Sequence, residues 1–205
     1  MYTPKLYREE DRSRILEFMQ KNEFVTLVCY DRQSPVGSHL LVEVVEEGEK
    51  LVINGHMSRA NPLWKTFVNN PEVLVIFQGP HTYISPTWYN HVNVPTWNYQ
   101  AVHVYGRPQL VTQYEEAYQL LKRLIDRHES TGHYKMESLP QEFVEKEIKG
   151  IMAFRITVTR VEANYKLSQN RNDEDYRSIV SHLEEREDEL SQGVAEAMKN
   201  QRSPR

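Results

Sequence analysis

Cysteine is nearly missing from this chain. Cys29 stands alone among 205 residues, so no internal disulfide can form, and a reducing compartment, the cytoplasm, is expected. Long apolar runs are missing too: none approaches the ~20 residues a membrane-spanning helix needs, so no membrane role is expected. The opening MYTPKLYREEDRSR lacks the apolar core of a secretory signal. A basic surplus is also lacking. The 25 Lys and Arg face 29 Asp and Glu, with a pI near 6.1, which excludes a dedicated nucleic-acid-binding module. No HExxH, paired-cysteine, GxSxG or Walker-type spacing occurs, nor a recognisable pair of acid–base carboxylates. Zinc hydrolases, serine hydrolases of the nucleophile-elbow type and P-loop NTPases are thereby set aside. Cys29, inside FVTLVCYD, reads as a small buried hydrophobe.

What is present is unevenly spread. The 34 residues from Val73 to Gly106 contain no Asp, Glu, Lys or Arg, yet hold Trp88, Trp97, three His and four Tyr. The net charge of −4 is local in the same way: residues 173–189 carry eight acids and two bases, whereas residues 1–172 balance at 20 of each. With 39% apolar residues the chain can bury a core.

Periodicity predicts helices over 8–21, 58–70, 114–128 and 140–147, and strands over 24–31, 36–45, 50–54, 72–78, 83–85, 99–111 and 151–163. Glu46-Glu47-Gly48-Glu49 reads as a hairpin turn, Ser58 as the N-cap of the second helix, and Gly79-Pro80 as a break. Residues 173–189 read as a solvated acidic helix and those after Ser191 as frayed. Strands joined mainly by hairpins imply a mainly β fold with α: a small antiparallel barrel with helices packed outside it.

Three constellations can carry chemistry. At Asn54-Gly-His-Met-Ser-Arg-Ala-Asn61, the predicted helix start offers backbone N–H groups, the Ser58 hydroxyl and the Arg59 guanidinium, a set suited to a phosphate. The same residues also suit an ordinary capped helix with a surface arginine. In Ser38-His39-Leu40-Leu41, strand alternation puts Ser38 and Leu40 on one face and His39 on the other. There His39 can meet a ligand or rest half-buried. The charge-free window reads as core strand plus aromatic loop, or as the wall of a pocket or interface anchored by Trp88, Trp97 and Tyr99.

Several segments together resemble a known family. MYTPKLYREED, NGHMSRANPLW, GPHTYISPTWY, VPTWNYQAVHVYG and KLSQNRNDED are similar to the PaiB-type FMN-binding negative transcriptional regulators, with the likeness running from Met1 to about Leu183. That family is related to the split-barrel flavoproteins, among them pyridoxamine phosphate oxidase. The resemblance implies a six-stranded antiparallel FMN-binding split barrel with flanking helices, spanning residues 1–168. An acidic C-terminal helix and tail follow over 169–205. It also implies a homodimer with FMN at the subunit interface. Cofactor contacts are expected from Ser38, His39 and Leu40 on one strand, Asn54 and His56 on the next, and Ser58, Arg59 and Asn61 at the turn. Trp97 completes the set with Lys166, which is similar to the terminal arginine of the oxidases. Where the oxidases carry further cations, this chain has His39, Ala60 and Gln100-Ala101-Val102-His103, so oxidase activity toward a phosphorylated pyridoxamine is not expected.

The resemblance implies negative regulation of sporulation or protease genes. DNA is then a partner, yet no helix-turn-helix or basic face offers direct contact. The alternative is an FMN-dependent oxidoreductase or flavin reductase with an indirect regulatory effect, in which His39 or His103 supplies a proton. An interaction protein with an empty pocket, and a haem-binding variant of the barrel, stay open beside these.

Overall fold

The alternating apolar residues of Phe24–Tyr30 bury Val25, Leu27 and Cys29 and leave Phe24 and Tyr30 outside. This two-residue period organises a seven-stranded sheet. In the computed structural model, which describes residues 1–129 and 133–202, the strands are β1 (Arg8–Glu9), β2 (Phe24–Tyr30), β3 (Pro35–Glu47), β4 (Lys50–Ser58), β5 (Val73–Ile84), β6 (Thr96–Val111) and β7 (Ile151–Lys166). Their order is β1-β7-β4-β3-β2-β5-β6, and β6 pairs again with β7. Six strands therefore close into a ring, with the two-residue β1 added at β7. The helices are α1 (Arg12–Lys21), α2 (Tyr114–His128), α3 (Gln141–Lys149), α4 (Asp173–Glu184) and α5 (Glu189–Arg202).

The chain forms two compact units, and β5, β6 and β7 run through both. The unit made of residues 19–77 and 104–161 holds the β2–β3–β4 meander. Gly48, at φ 61°, makes the β3–β4 turn. Val44 lies opposite Ile53, and Val25 opposite Leu40. The inward residues Val25, Leu27, Val42, Val44, Ile53 and Phe154 fill the core. On the outer face, α2 and α3 bury a second cluster that includes Leu120, Leu124, Val144 and Ile148, with Leu41 and Ile151 packed against it.

The other unit comprises residues 1–18, 78–103 and 162–205. Here Phe18 packs on Tyr165 with ring centroids 5.3 Å apart. Tyr176, Ile179 and Leu183 of α4 are buried, as are Val194, Ala195 and Met198 of α5.

Four expectations need correction. The segment after Ser191 is not frayed: it is most of α5, and the Val194–Met198 spacing seats one face in the core. Residues 203–205 of the expected tail lie outside the described residues. The acidic helix is not merely solvated, because Asp175 within it is 1% exposed. Gly79-Pro80 does not end a strand. β5 continues through it, and the burial alternation slips by one residue at Pro80–His81, as at a bulge. Ser58 is the last residue of β4 rather than a helix cap. Pro62 disfavours helical geometry at Asn61, so a 3₁₀ helix begins at Pro62 and ends at Asn69, with Asn61 as its cap.

Ring closure through β6 and β7 puts a glycine under tight constraint. A Cβ on Gly106 would lie 2.5 Å from Ile156 Cγ2 and 2.8 Å from the Thr157 carbonyl oxygen. Gly106→Ala is expected to destabilise the protein by about 1–3 kcal/mol, read as a lower midpoint in urea unfolding. An unchanged midpoint would contradict the close approach.

Candidate functional site

Eight of the ten expected site residues fall in the unit that carries the meander, and Trp97 and Lys166 fall in the other. Within the first, Ser38 and the turn after β4 are joined directly. Asn61 Nδ2 donates to Ser38 Oγ at 2.8 Å, while Asn61 Oδ1 accepts from the Leu63 amide at 3.0 Å. Asn61 thus caps the 3₁₀ helix and ties it to β3 at once. Ser58 Oγ accepts from the Ala60 amide at 3.2 Å. Arg59 reaches in a direction its local sequence does not announce. Its Nε donates to the Lys149 carbonyl at 2.8 Å and its Nη2 to the Ile151 carbonyl at 3.2 Å. The guanidinium thereby satisfies carbonyls where α3 ends, while Nη1 has no partner among the described residues.

His39 is exposed and lies opposite Thr26 in the β2–β3 register. Its Nδ1 is 3.1 Å from Thr26 Oγ1, and its ring stacks on Phe24 with centroids 6.0 Å apart. Phe24 is 70% exposed, so the two rings make an open aromatic shelf. Leu40 points the other way, opposite the buried Val25.

Asn54 and His56 share one face of β4. Asn54 is buried, 3.4 Å from Glu43 Oε2, and lines a cleft of about 300 Å³ with Glu47, Glu116, Arg123 and Arg155. That cleft is internally neutralised. Arg155 pairs with Glu47 and Glu116, and Arg123 with Glu43 at 3.1 Å. The Nδ1 of His56 is buried without a partner, and burial pushes its pKa below the ordinary histidine value.

In the other unit, Trp97 is 47% exposed and its Nε1 donates to His81 Nδ1 at 3.3 Å. Tyr83 meets the same ring edge-on. Lys166 Nζ donates to Thr96 Oγ1 at 2.6 Å. The aromatic loop of the charge-free window is anchored within its own chain. The Asn90 amide donates to Asp175 Oδ1 at 2.9 Å, and Trp88 stacks on His182 at 5.1 Å, with Arg186 4.9 Å from the Trp88 centroid.

Sequence reasoning passed over Thr26 and Phe24, although alternation in FVTLVCY places both on the face that His39 occupies. Among the described residues no cluster of His, Cys, Asp and Glu is arranged to hold a metal ion. No helix among them is long and apolar enough to cross a membrane.

A closed antiparallel ring of six strands with outer helices defines a split-barrel protein. Solved structures agree. The flavocytochrome Anf3 from Azotobacter vinelandii superposes with a TM-score of 0.62 at 15% identity, over 83% of this chain and 75% of that one. The FAD and heme binding protein from Mycobacterium smegmatis gives 0.61 at 15% identity, over 84% and 80%. Residues 1–160 match the family described as "Putative FMN-binding domain". The protease synthase and sporulation protein PAI 2 of Bacillus subtilis (strain 168) is 38% identical over 202 residues, 98% of this chain and 97% of that protein. The chain belongs to this PaiB-like family of FMN-binding-domain proteins.

The half-buried ring of His56 yields a pH prediction. Its folded pKa lies below the unfolded value of about 6.5, so the unfolded state takes up the proton first. Stability is therefore complete above that value and falls as pH drops through and below it. Burial pushes His103 the same way. His56→Leu is expected to lose less stability than wild type between about pH 7 and 5. Parallel pH profiles in thermal unfolding would contradict this.

Proposed function

We propose that this protein is an FMN-binding homodimer that acts as a negative regulator of sporulation or protease genes. The family match over residues 1–160 and the likeness to PAI 2 along nearly the whole chain support the reading. The observation that carries the cofactor is the donor set on β3 and at the turn after β4. An exposed Ser58 hydroxyl, an Arg59 guanidinium with Nη1 uncommitted, and the His39–Phe24 shelf suit a phosphate and a flat aromatic ring in turn. Ser58 and Arg59 would hold the phosphate, Asn61 would keep the turn in place through Ser38, and His39 would meet the ring, with Leu40 supporting β3 from its other face. In this reading Asn54 and His56 back the turn from β4. Bound FMN supplies reversible electron and hydride transfer.

The homodimer rests on exposed aromatic surface without charge. Trp97 is the window's most exposed tryptophan; Trp88 is already held by His182 and Arg186, and Tyr99 accepts from Asn164 Nδ2 at 2.6 Å. Regulation by direct DNA contact would show as salt-dependent binding to the protein's own promoter region. The oxidoreductase reading draws on His39. With Nδ1 held by Thr26, its Nε2 has no partner among the described residues and can exchange a proton with a ligand on the shelf. Catalytic NAD(P)H oxidation by the FMN-loaded protein separates the two readings.

Arg59→Ala is expected to weaken FMN by about 1.5–3 kcal/mol, roughly ten- to a hundredfold, with riboflavin affinity unchanged. The riboflavin arm separates loss of a phosphate contact from loss of the bonds to Lys149 and Ile151. Equal FMN affinity in both proteins would remove this turn from the site. Trp97→Glu is expected to yield a folded monomer by sedimentation, and a dimer that persists at low concentration would overturn the interface.

A further inference from the structure

Lys166, the last residue of β7, and Arg171, five residues further on, are two cations that no carboxylate answers among the described residues. Lys166 Nζ reaches the Thr96 hydroxyl, and the Arg171 guanidinium lies 4.6 Å from the centroid of Tyr89. Neither forms an ion pair among the described residues, whereas Arg14 and Arg202, in the same unit, each sit against an acid. Asp175, the buried acid nearest in sequence, spends its oxygens on Asn90, Asn172 and His91. Two polar groups here are also stranded: Arg171 Nε and the Tyr89 hydroxyl are buried with no hydrogen-bond partner. Buried donors without partners are costly, and an oxyanion is the group that satisfies a guanidinium and an ammonium together. The Lys166 amine is pushed below its ordinary pKa, first by burial and then by the charge of Arg171, so the two cations feel one another.

The turn between them is fixed. Leu167 is fully buried, Ser168 takes a left-handed φ of 61°, and its Oγ accepts from Asn98 Nδ2 at 2.9 Å. The Arg171 amide closes the turn on the Ser168 carbonyl at 3.0 Å. A ligand that carries negative charge would offset the repulsion between the two cations.

We propose that Lys166 and Arg171, with the Tyr89 and Thr96 hydroxyls beside them, form an oxyanion notch that takes the phosphate group of a small phosphorylated ligand. The notch shares Lys166 with the cofactor reading and rests on that reading only for which molecule brings the phosphate.

The test titrates inorganic phosphate calorimetrically at low ionic strength into wild type, Lys166→Met, Arg171→Gln and the exposed control Lys146→Gln. Saturable binding to wild type and to the control is expected, at least tenfold weaker in Lys166→Met and Arg171→Gln. Lys166→Met keeps the alkyl stem and decides the matter if Arg171→Gln unfolds on losing its packing on Tyr89. Absence of phosphate binding to wild type, or equal binding to folded Lys166→Met, overturns the notch. FMN and riboflavin titrations of the same proteins identify the source. Loss of FMN affinity alone means the notch holds the cofactor's own phosphate, and unchanged FMN affinity beside lost phosphate binding means a second phosphorylated ligand. Wild type that binds phosphate but no FMN supports the notch and overturns the cofactor reading.

Discussion

The register of β3 between β2 and β4 is the constraint on which the rest of the candidate site depends. It sets Thr26 opposite His39, Leu27 opposite Ser38 and Glu43 opposite Asn54. A slip of one residue would turn every side chain to the other face. It would bury His39 and expel Val42 and Val44 from the core. The inward side chains of three strands resist that slip together, and the tight Gly48 turn fixes the end of the hairpin. Ser38 is consequently directed toward Asn61, and His39 toward Phe24 and Thr26. The turn after β4 inherits its position from the same register through the Ser38–Asn61 bond and, from the opposite side, through Arg59 and the carbonyls that end α3.

The second unit follows a different logic. Its loop, poor in charge and rich in aromatic rings, would have little to hold it if the C-terminal helices were absent. Asp175 sits buried at the first turn of α4, where an acid is favourable to the helix dipole. From there it accepts the Asn90 amide, and His182 and Arg186 hold Trp88 further along. The acidic tail segment is thus part of what shapes the charge-free window. Its acids divide between one buried structural role and a solvated face.

Much of the fold was legible because its signals are local. α2 runs over the predicted 114–128 because its apolar stripe is long, with Glu115 and Glu116 at its start and Arg127 and His128 at its end. The 46–49 turn and the opposed faces of Ser38 and His39 follow from glycine and strand alternation alone. Errors arose where tertiary contacts outweigh local pattern. Val194, Ala195 and Met198 are a thin stripe in a polar segment, and only their burial makes α5 a core helix. The Ser58 cap yielded to Pro62, which moves the helix start to itself and the cap to Asn61. In the candidate site, partnership was not readable: Arg59 bonds to Lys149 and Ile151, far along the chain, and Arg171 meets Tyr89 across a similar span.

The central claim is that this split barrel holds FMN through a phosphate and an aromatic shelf. The most direct test is an equilibrium titration of the purified wild-type protein with FMN, followed by quenching of the flavin fluorescence. The account predicts saturable binding of one FMN per chain, tighter than riboflavin and weakened by salt. A titration with no saturable quenching, or one in which FMN and riboflavin bind alike, would contradict it.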